Sequence, residues 1–307
     1  MEAPVRSIMS MDTVQIEITN ICVNSCANCS RFVPHVEGYF MSKDLFRTAV
    51  DSMVGYPKMV GVQGGEPLLH PLFGEFCEYL SEKVPKKQLG LWTTLPPGYE
   101  NYREIICSTF GHIFINDHTR DDIYHHPPLV AIGEIVTDEG RMWNCIDRCW
   151  AQESWSASIN PRGAWFCEIA GSMSMLFEEH FGWAIENGWW WRIPKDYGSQ
   201  MEAFCRRCGY PANVDRRRSI EQLDDISMGN LNRMAHVRFA QMERFKVSGF
   251  ETPRTEQRMA AYKDFGYRNT IAKRYGMHLT INDQGFWTPH LDDGRESIFD
   301  GIKRKYA

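Results

Sequence analysis

Apolar and polar residues alternate through Val14-Gln15-Ile16-Glu17-Ile18, the period-two pattern of a strand with one face on a core. Behind Ser42, a hydroxyl suited to an N-cap, Leu45, Phe46, Ala49, Val50, Met53 and Val54 recur at helical spacing. A Val-rich strand over 58–63 ends at Gly64-Gly65-Glu66-Pro67, and a helix over 72–84 follows. The alternation continues with a strand over 88–93, a helix over 102–109, a strand over 112–116 and a fifth strand over 129–136. Strands and helices in this order predict parallel βαβ units, and helices of about 10–15 residues between them suit a barrel or part of one.

The pattern changes after about residue 140. Residues 155–160 and 164–167 predict two short strands joined by Pro161-Arg162-Gly163, a hairpin by its turn chemistry. A helix is expected over 172–187, and beyond Cys208 the pattern predicts mostly helix, with candidates over 229–247 and 255–265. The stretch 277–307 is turn-rich and yields no assignment. No internal repeat or low-complexity linker interrupts the chain.

Composition narrows the function. Lys plus Arg number 34 against 39 Asp plus Glu, a net charge of −5 that argues against a whole-surface nucleic-acid binder. No run of about 18 apolar residues predicts a membrane span, and the first residues lack a secretory pattern, so a cytoplasmic protein is expected. Ten cysteines in such a chain favour metal or redox chemistry over structural disulfides.

The first cysteine group is Cys22-Val23-Asn24-Ser25-Cys26-Ala27-Asn28-Cys29, directly after the first strand. Three thiolates can hold three irons of a cubane cluster and leave the fourth open to a substrate or cosubstrate. Structural zinc wants a fourth ligand, and only His35 lies nearby. The CxxxCxxC loop followed by Gly-Gly-Glu-Pro after the second strand resembles the radical S-adenosylmethionine (SAM) superfamily. The resemblance implies that Cys22, Cys26 and Cys29 ligate a 4Fe-4S cluster whose open iron chelates SAM. One electron then cleaves SAM, and a 5′-deoxyadenosyl radical abstracts a hydrogen atom. It also implies that Gly64, Gly65, Glu66 and Pro67 line the SAM amino group. That family places an aromatic residue before the third cysteine, where this chain has Asn28, with Phe32 the aromatic that could compensate. Further SAM candidates are Thr94 and Asn116, at predicted strand C-terminal ends, and the stretch 130–134.

Cys149, Cys167, Cys205 and Cys208 form a second group. The order cysteine, hairpin, cysteine, helix, CxxC resembles the Twitch half of the SPASM auxiliary-cluster domain, which implies a second, fully ligated 4Fe-4S cluster. Cys145 competes with Cys149 for the first position; a structural zinc site is the alternative for these four thiols. The joint expectation is an α/β protein: a partial (β/α)6 TIM-like barrel over 1–140, a hairpin-plus-helix auxiliary domain over 141–214, and a mostly helical C-terminal region over 215–307.

A fully ligated second cluster can accept an electron from a substrate radical, which favours oxidation of an alcohol. Epimerisation needs a thiol hydrogen donor. Cys77 and Cys107 read as core thiols of outer helices, which leaves Cys145. Eight of the ten tryptophans fall between Trp143 and Trp191, and most are expected to pack the small domain while some could face a sugar. Arg206, Arg207 and Arg216-Arg217-Arg218 read as a solvated face or as a phosphate site, and Asp121, Asp122, His125 and His126 as a surface turn or as groups that could deprotonate a substrate alcohol. The expected partners are a sugar, aminocyclitol or nucleotide-linked sugar and an electron donor such as flavodoxin or ferredoxin, with no nucleic acid and no membrane. A peptide-modifying enzyme and a zinc-stabilised binding module are the other readings.

Overall fold

A computed structural model of the chain describes residues 7–118, 120–149, 151, 157–212, 214–248, 277–281 and 287–291. It divides into two units, Met1–Thr255 and Glu256–Ala307. The expected helix over 255–265 and Trp150 and Trp155 lie outside the described residues. Among the described residues no helix is long and apolar enough to cross a membrane.

The first unit begins with the expected alternation. Strands β1 (Thr13–Thr19), β2 (Met59–Gly64), β3 (Leu89–Thr93) and β4 (His112–Ile115) are separated by α1 (Lys43–Ser52), α2 (Phe73–Lys83) and α3 (Arg103–Thr109). Ser42 caps α1, its hydroxyl accepting from the Leu45 N–H at 3.3 Å. All four strands are parallel neighbours, in the order β4-β3-β2-β1.

The predicted (β/α)6 succession stops at four strands. The stretch 129–136 is not a fifth strand: its middle winds into a one-turn helix, α4 (Ile132–Ile135), after the two-residue strand β5 (Tyr124–His125). Its backbone bonds go to later segments instead, the Ile132 N–H to Cys208 O and the Ser227 N–H to Leu129 O. Helix α5 (Glu139–Asp147) follows. The hairpin β6 (Ala157–Asn160) and β7 (Gly163–Trp165) then brings the sheet to six strands from the opposite side, β6 lying parallel to β1.

Helix α6 (Glu168–Leu176) begins four residues earlier than expected and ends well before 187. Residues 177–188 run irregularly to the short turn at Trp189–Trp191, and α7 (Gly198–Phe204) leads to the CxxC pair. The expected helix over 229–247 is only α8 (Met228–Met234); the rest of the segment carries a parallel ladder of β9 (Asp224–Ile226) with β10 (Phe245–Val247), while β8 (Arg217–Arg218) pairs with β5. In the second unit β11 (Met277–Ile281) pairs antiparallel with β12 (Trp287–Leu291), where no assignment was made from sequence.

The two faces of the main sheet differ in chemistry. Register places Val14, Ile16, Val60, Val62, Leu91, Ile113 and Ile159 on one face, the side where α1–α3 bury Phe46, Val50, Phe76, Leu80 and Ile106. The other face presents Gln15, Glu17, Gln63, Trp92, Phe114 and Ser158. Its β1 side is closed off, every residue of β1 being buried where α6 packs over β6 and β7, while Gln63, Trp92 and Phe114 stay partly exposed. A half-buried strand was expected from the alternation; a polar interior is what forms.

Gly65 fixes the turn at the end of β2. A Cβ there would lie 2.4 Å from Ile21 O and 2.6 Å from Asn20 O, and one at Gly64 2.0 Å from Thr19 O. These glycines are needed so that the 64–66 turn can lie against the backbone leading into the first cysteine loop, with the Gly65 and Glu66 N–H groups donating to Thr19 and Ile21. Gly65→Ala should therefore cost about 1–3 kcal/mol as an overpacking change. Urea unfolding measures it; an unchanged midpoint contradicts the tight contact.

Candidate functional site

The first cysteine loop leaves the C-terminal end of β1, the end at which parallel α/β sheets build their sites. Cys26 is buried, while Cys22 and Cys29 are intermediate. The three thiols lie within electrostatic reach of one another, and Cys22 also of Glu66. Burial pushes the Cys22 thiol up to about 12, and it raises Cys26 and Cys29 as well. Buried thiols this close together stay protonated unless a cation holds them as thiolates.

Cys149, Cys167, Cys205 and Cys208 converge in the same way from the end of α5, the start of α6 and the residues after α7. All four are buried, and each interacts electrostatically with others of the set. Burial pushes Cys167 up to about 12 and holds Cys205 and Cys208 well above the ordinary thiol value. Cys145 lies within electrostatic reach of Arg141 and Arg148. Among the described residues, no group of three or more His, Cys, Asp or Glu side chains is drawn tightly enough to hold a single metal ion. Of the remaining thiols Cys77 is buried on α2 as expected, but Cys107 is exposed, a correction to its reading as a core thiol.

A buried ion-pair cluster joins the two loops. Arg31, two residues past Cys29, sends Nη2 to Glu168 Oε2 at 2.6 Å and Nη1 to Glu17 Oε1 at 2.9 Å. Glu168 directly follows Cys167. Nη1 also donates to Ser172 Oγ at 3.0 Å and to the Glu168 carbonyl at 3.3 Å. Burial raises Glu17 from the ordinary carboxylate range to about 7; Arg31 opposes this and the Glu168 charge adds to it.

The segment after Cys208 clamps the first loop. Asn28 adopts the left-handed conformation (φ 50°) and its side chain acts as a strand edge toward β9. Its Oδ1 accepts from the Asp225 N–H at 2.7 Å, its Nδ2 donates to Asp225 Oδ2 at 3.0 Å, and its backbone N–H donates to Asp224 Oδ1 at 2.6 Å. Arg244 holds Asp224 Oδ2 at 3.1 Å and donates to Ser25 Oγ, Ser25 O and Cys26 O. His35, the one nearby zinc candidate, is engaged by Asp224 at 3.0 Å and stacks on Phe245.

From the other side His125 Nδ1 donates to Ala27 O at 2.8 Å, so its Nε2 accepts from His118 Nδ1 at 3.1 Å. Burial lowers His125 and pushes His118 and His126 down to about 3, which keeps these imidazoles neutral. The expected surface turn at 121–126 is thus half right: Asp121 is exposed and Asp122 pairs with Arg120, but His125 braces the cysteine loop.

The other candidate residues are held in the fold by their own bonds. Glu66 is fully buried; its carboxylate accepts from the Leu68 N–H, Thr93 Oγ1, the Thr94 N–H and Thr94 Oγ1, tying β2 to β3. Pro67 opens the buried turn beside it. Phe32 is a core residue whose N–H donates to Cys29 O, and the Asn116 N–H continues the β3–β4 ladder to Thr93 O. Within the stretch 130–134, Glu134 is bound by Ser227 and the Gly229 N–H.

The arginine runs are largely ion-paired, while Arg216 and Arg218 stay exposed, as expected of a solvated face. Arg206 pairs with Glu139 and Glu202, Arg207 with Glu179, and Arg217 with Asp225 and Glu221. Trp165, Trp189 and Trp190 are core residues. Trp92, outside the tryptophan-rich stretch, is the indole on the polar inner face; the signal available in sequence was its place in a strand, two residues after Gly90.

No family model matches the chain, and no curated protein does. Among solved structures, the chain is similar to BtrN. The match to BtrN in complex with AdoMet and 2-DOIA has 14% identity and a TM-score of 0.44, covering 70% of this chain and 97% of that one. The match to selenomethionine BtrN in an open conformation has 16% identity and a TM-score of 0.41, covering 67% and 89%.

Two outcomes follow from this geometry. Arg244→Met leaves the buried Asp224 carboxylate without its guanidinium and is expected to cost about 3–5 kcal/mol, read by urea unfolding; a loss below about 1 kcal/mol would contradict the clamp. For Glu17 the native pKa lies above the unfolded one, so its contribution to stability is full below the ordinary carboxylate pKa and is lost as pH rises through about 7. Glu17→Gln should flatten the fall in stability between about pH 5 and 8. Equal slopes for variant and wild type would rule this out.

Proposed function

We propose that the chain is a radical SAM enzyme that abstracts a hydrogen atom from a small carbohydrate-like substrate and oxidises an alcohol. The observation that carries this reading is the pairing of two convergent thiol sets, three in one loop and four from three separate segments, tied together by the Arg31–Glu168 ion pair. The first set lacks the fourth ligand that structural zinc requires, because the nearby His35 is engaged by Asp224, and three thiols suit a cubane with one open iron; the four thiols of the second set suit a closed cluster. Cys22, Cys26 and Cys29 would hold a 4Fe-4S cluster with one open iron for SAM, and Cys149, Cys167, Cys205 and Cys208 a closed one. When bound, the first cluster supplies the electron that cleaves SAM, and the second accepts one from the substrate.

The chain's own residues prepare the site. The 64–66 turn, Asp224 and Asp225, Arg244 and His125 hold the first loop from outside, and Arg31 fixes it against Glu168. Cys26 and all four thiols of the second set are buried away from water. Glu66, its carboxyl oxygens already fixed on β3, would offer the SAM ammonium an acceptor at the sheet edge.

Anaerobic purification with iron and sulfide analysis tests the reading. About eight irons per chain are expected, falling by about four in Cys29→Ala and by about four in Cys205→Ala. With SAM and a reductant, the wild type should release 5′-deoxyadenosine. A colourless protein carrying zinc and no sulfide would refute it. Solvent deuterium in a product of unchanged oxidation level would instead assign epimerisation.

A further inference from the structure

The inner face of the sheet carries a row of side chains that cluster binding leaves unused. Glu17 on β1 stands beside Gln63 on β2, and Trp92 on β3 beside Phe114 on β4. The β2–β3 register pairs Val62 with Leu91, so its next step sets Gln63 beside Trp92. Carboxylate, amide, indole and phenyl thus lie side by side across four neighbouring strands. Each stands within two residues of its strand's C-terminal end, the edge from which the first cysteine loop departs.

The aromatic half is a stacked pair, centroids 4.3 Å apart and 17° from parallel. Gly61 and Gly90 make room for it, since a Cβ at either would come 2.6 Å or 2.9 Å from the indole. The polar half has acceptors in surplus. Two carboxylates, Glu17 and Glu168, share the single Arg31 guanidinium. Gln63 Oε1 is buried and accepts no hydrogen bond among the described residues. A buried acceptor left without a donor is costly, and a ligand that brings one relieves it. Gln63, Trp92 and Phe114 are each only partly buried, so the centre of the row can receive a ligand.

We propose that this row is the substrate platform, and that it takes a small saturated ring bearing hydroxyl or ammonium donors. The C–H face of the ring lies on Trp92 and Phe114, and its donors meet Gln63 and Glu17. Arg31, the cation at this row, is already engaged by Glu17 and Glu168 and is not available to a phosphate, so a phosphorylated or nucleotide-linked sugar is the wrong partner. The proposal rests on the radical-enzyme reading only for the reaction that follows binding.

The test is binding to anaerobically purified, iron-loaded protein without reductant, by saturation-transfer NMR with glucosamine, glucose and glucose 6-phosphate as probes. Glucosamine and glucose should bind, with glucose 6-phosphate at least about tenfold weaker. Trp92→Ala and Gln63→Leu should each weaken glucosamine about tenfold while iron content stays at the wild-type level. If Trp92→Ala does not fold, Gln63→Leu decides alone. Failure of both neutral and amino sugars to bind, equal binding of the phosphate, or variants that bind like wild type would overturn the platform. A wild-type protein without iron that still binds glucosamine through Trp92 would sink the radical reading and leave the platform standing.

Discussion

Arg31 carries its charge where water is excluded, and much of the rest of the site depends on how that charge is satisfied. Removing a guanidinium from water costs several kcal/mol, and only close carboxylates and further acceptors offset it. Here Glu17 comes from β1, Glu168 and Ser172 from α6, and Gln15 from β1 again, with Arg31 itself on the first cysteine loop. No single element could supply that shell. The ion cluster therefore forms only when β1, the cysteine loop and the start of α6 are all in place, and it fixes Cys29 relative to Cys167 through side chains that cannot shift without exposing a buried charge.

The clamp formed by residues 217–248 answers a different constraint. A loop with three cysteines in eight residues has little apolar side chain to bury and cannot hold its own shape. Its backbone is instead gripped by partners from outside: Ser219 O accepts from the Ala27 N–H, Arg244 binds two carbonyls, and Asn28 completes a strand-like pair with Asp225. Asn28 suits this role because asparagine tolerates the left-handed conformation and offers a donor and an acceptor in one plane. An aromatic residue at that position could make neither bond. The substitution that departs from the resembled family is thus the residue on which the C-terminal segment closes.

The strands and helices up to residue 116 were legible because each carries a strong period: β1 by alternation, α1 by its stripe behind Ser42. The cysteine sets were legible as groups because spacing is a local property. What was not legible depends on pairing between distant segments. Leu129-Val130-Ala131-Ile132 has the apolar run of a strand, but its backbone finds partners at Cys208 and Ser227, so no ladder forms. The segment 229–247 has helical composition, yet Phe245–Val247 is drawn into a ladder by β9. Arg217 was read as part of a charge run because its partners, Asp225 and Glu221, follow it rather than interleave with it.

The alternation of β1 illustrates why a correct local pattern can mislead about function. Gln15 and Glu17 would be unremarkable on a solvated face, where water satisfies them at no cost to the fold. Once α6 covers β6 and β7, the same residues are enclosed, and every polar atom must find a partner inside. Arg31 satisfies part of that demand, but it meets two carboxylates, and Gln63 Oε1 is left over. An interior built for stability alone would replace such groups with apolar ones of similar volume, which is often neutral or stabilising. Keeping them at the C-terminal edge of a parallel sheet, beside a stacked Trp92 and Phe114 and next to a loop of thiols, makes sense when the remaining hydrogen-bond partner is a molecule that comes and goes.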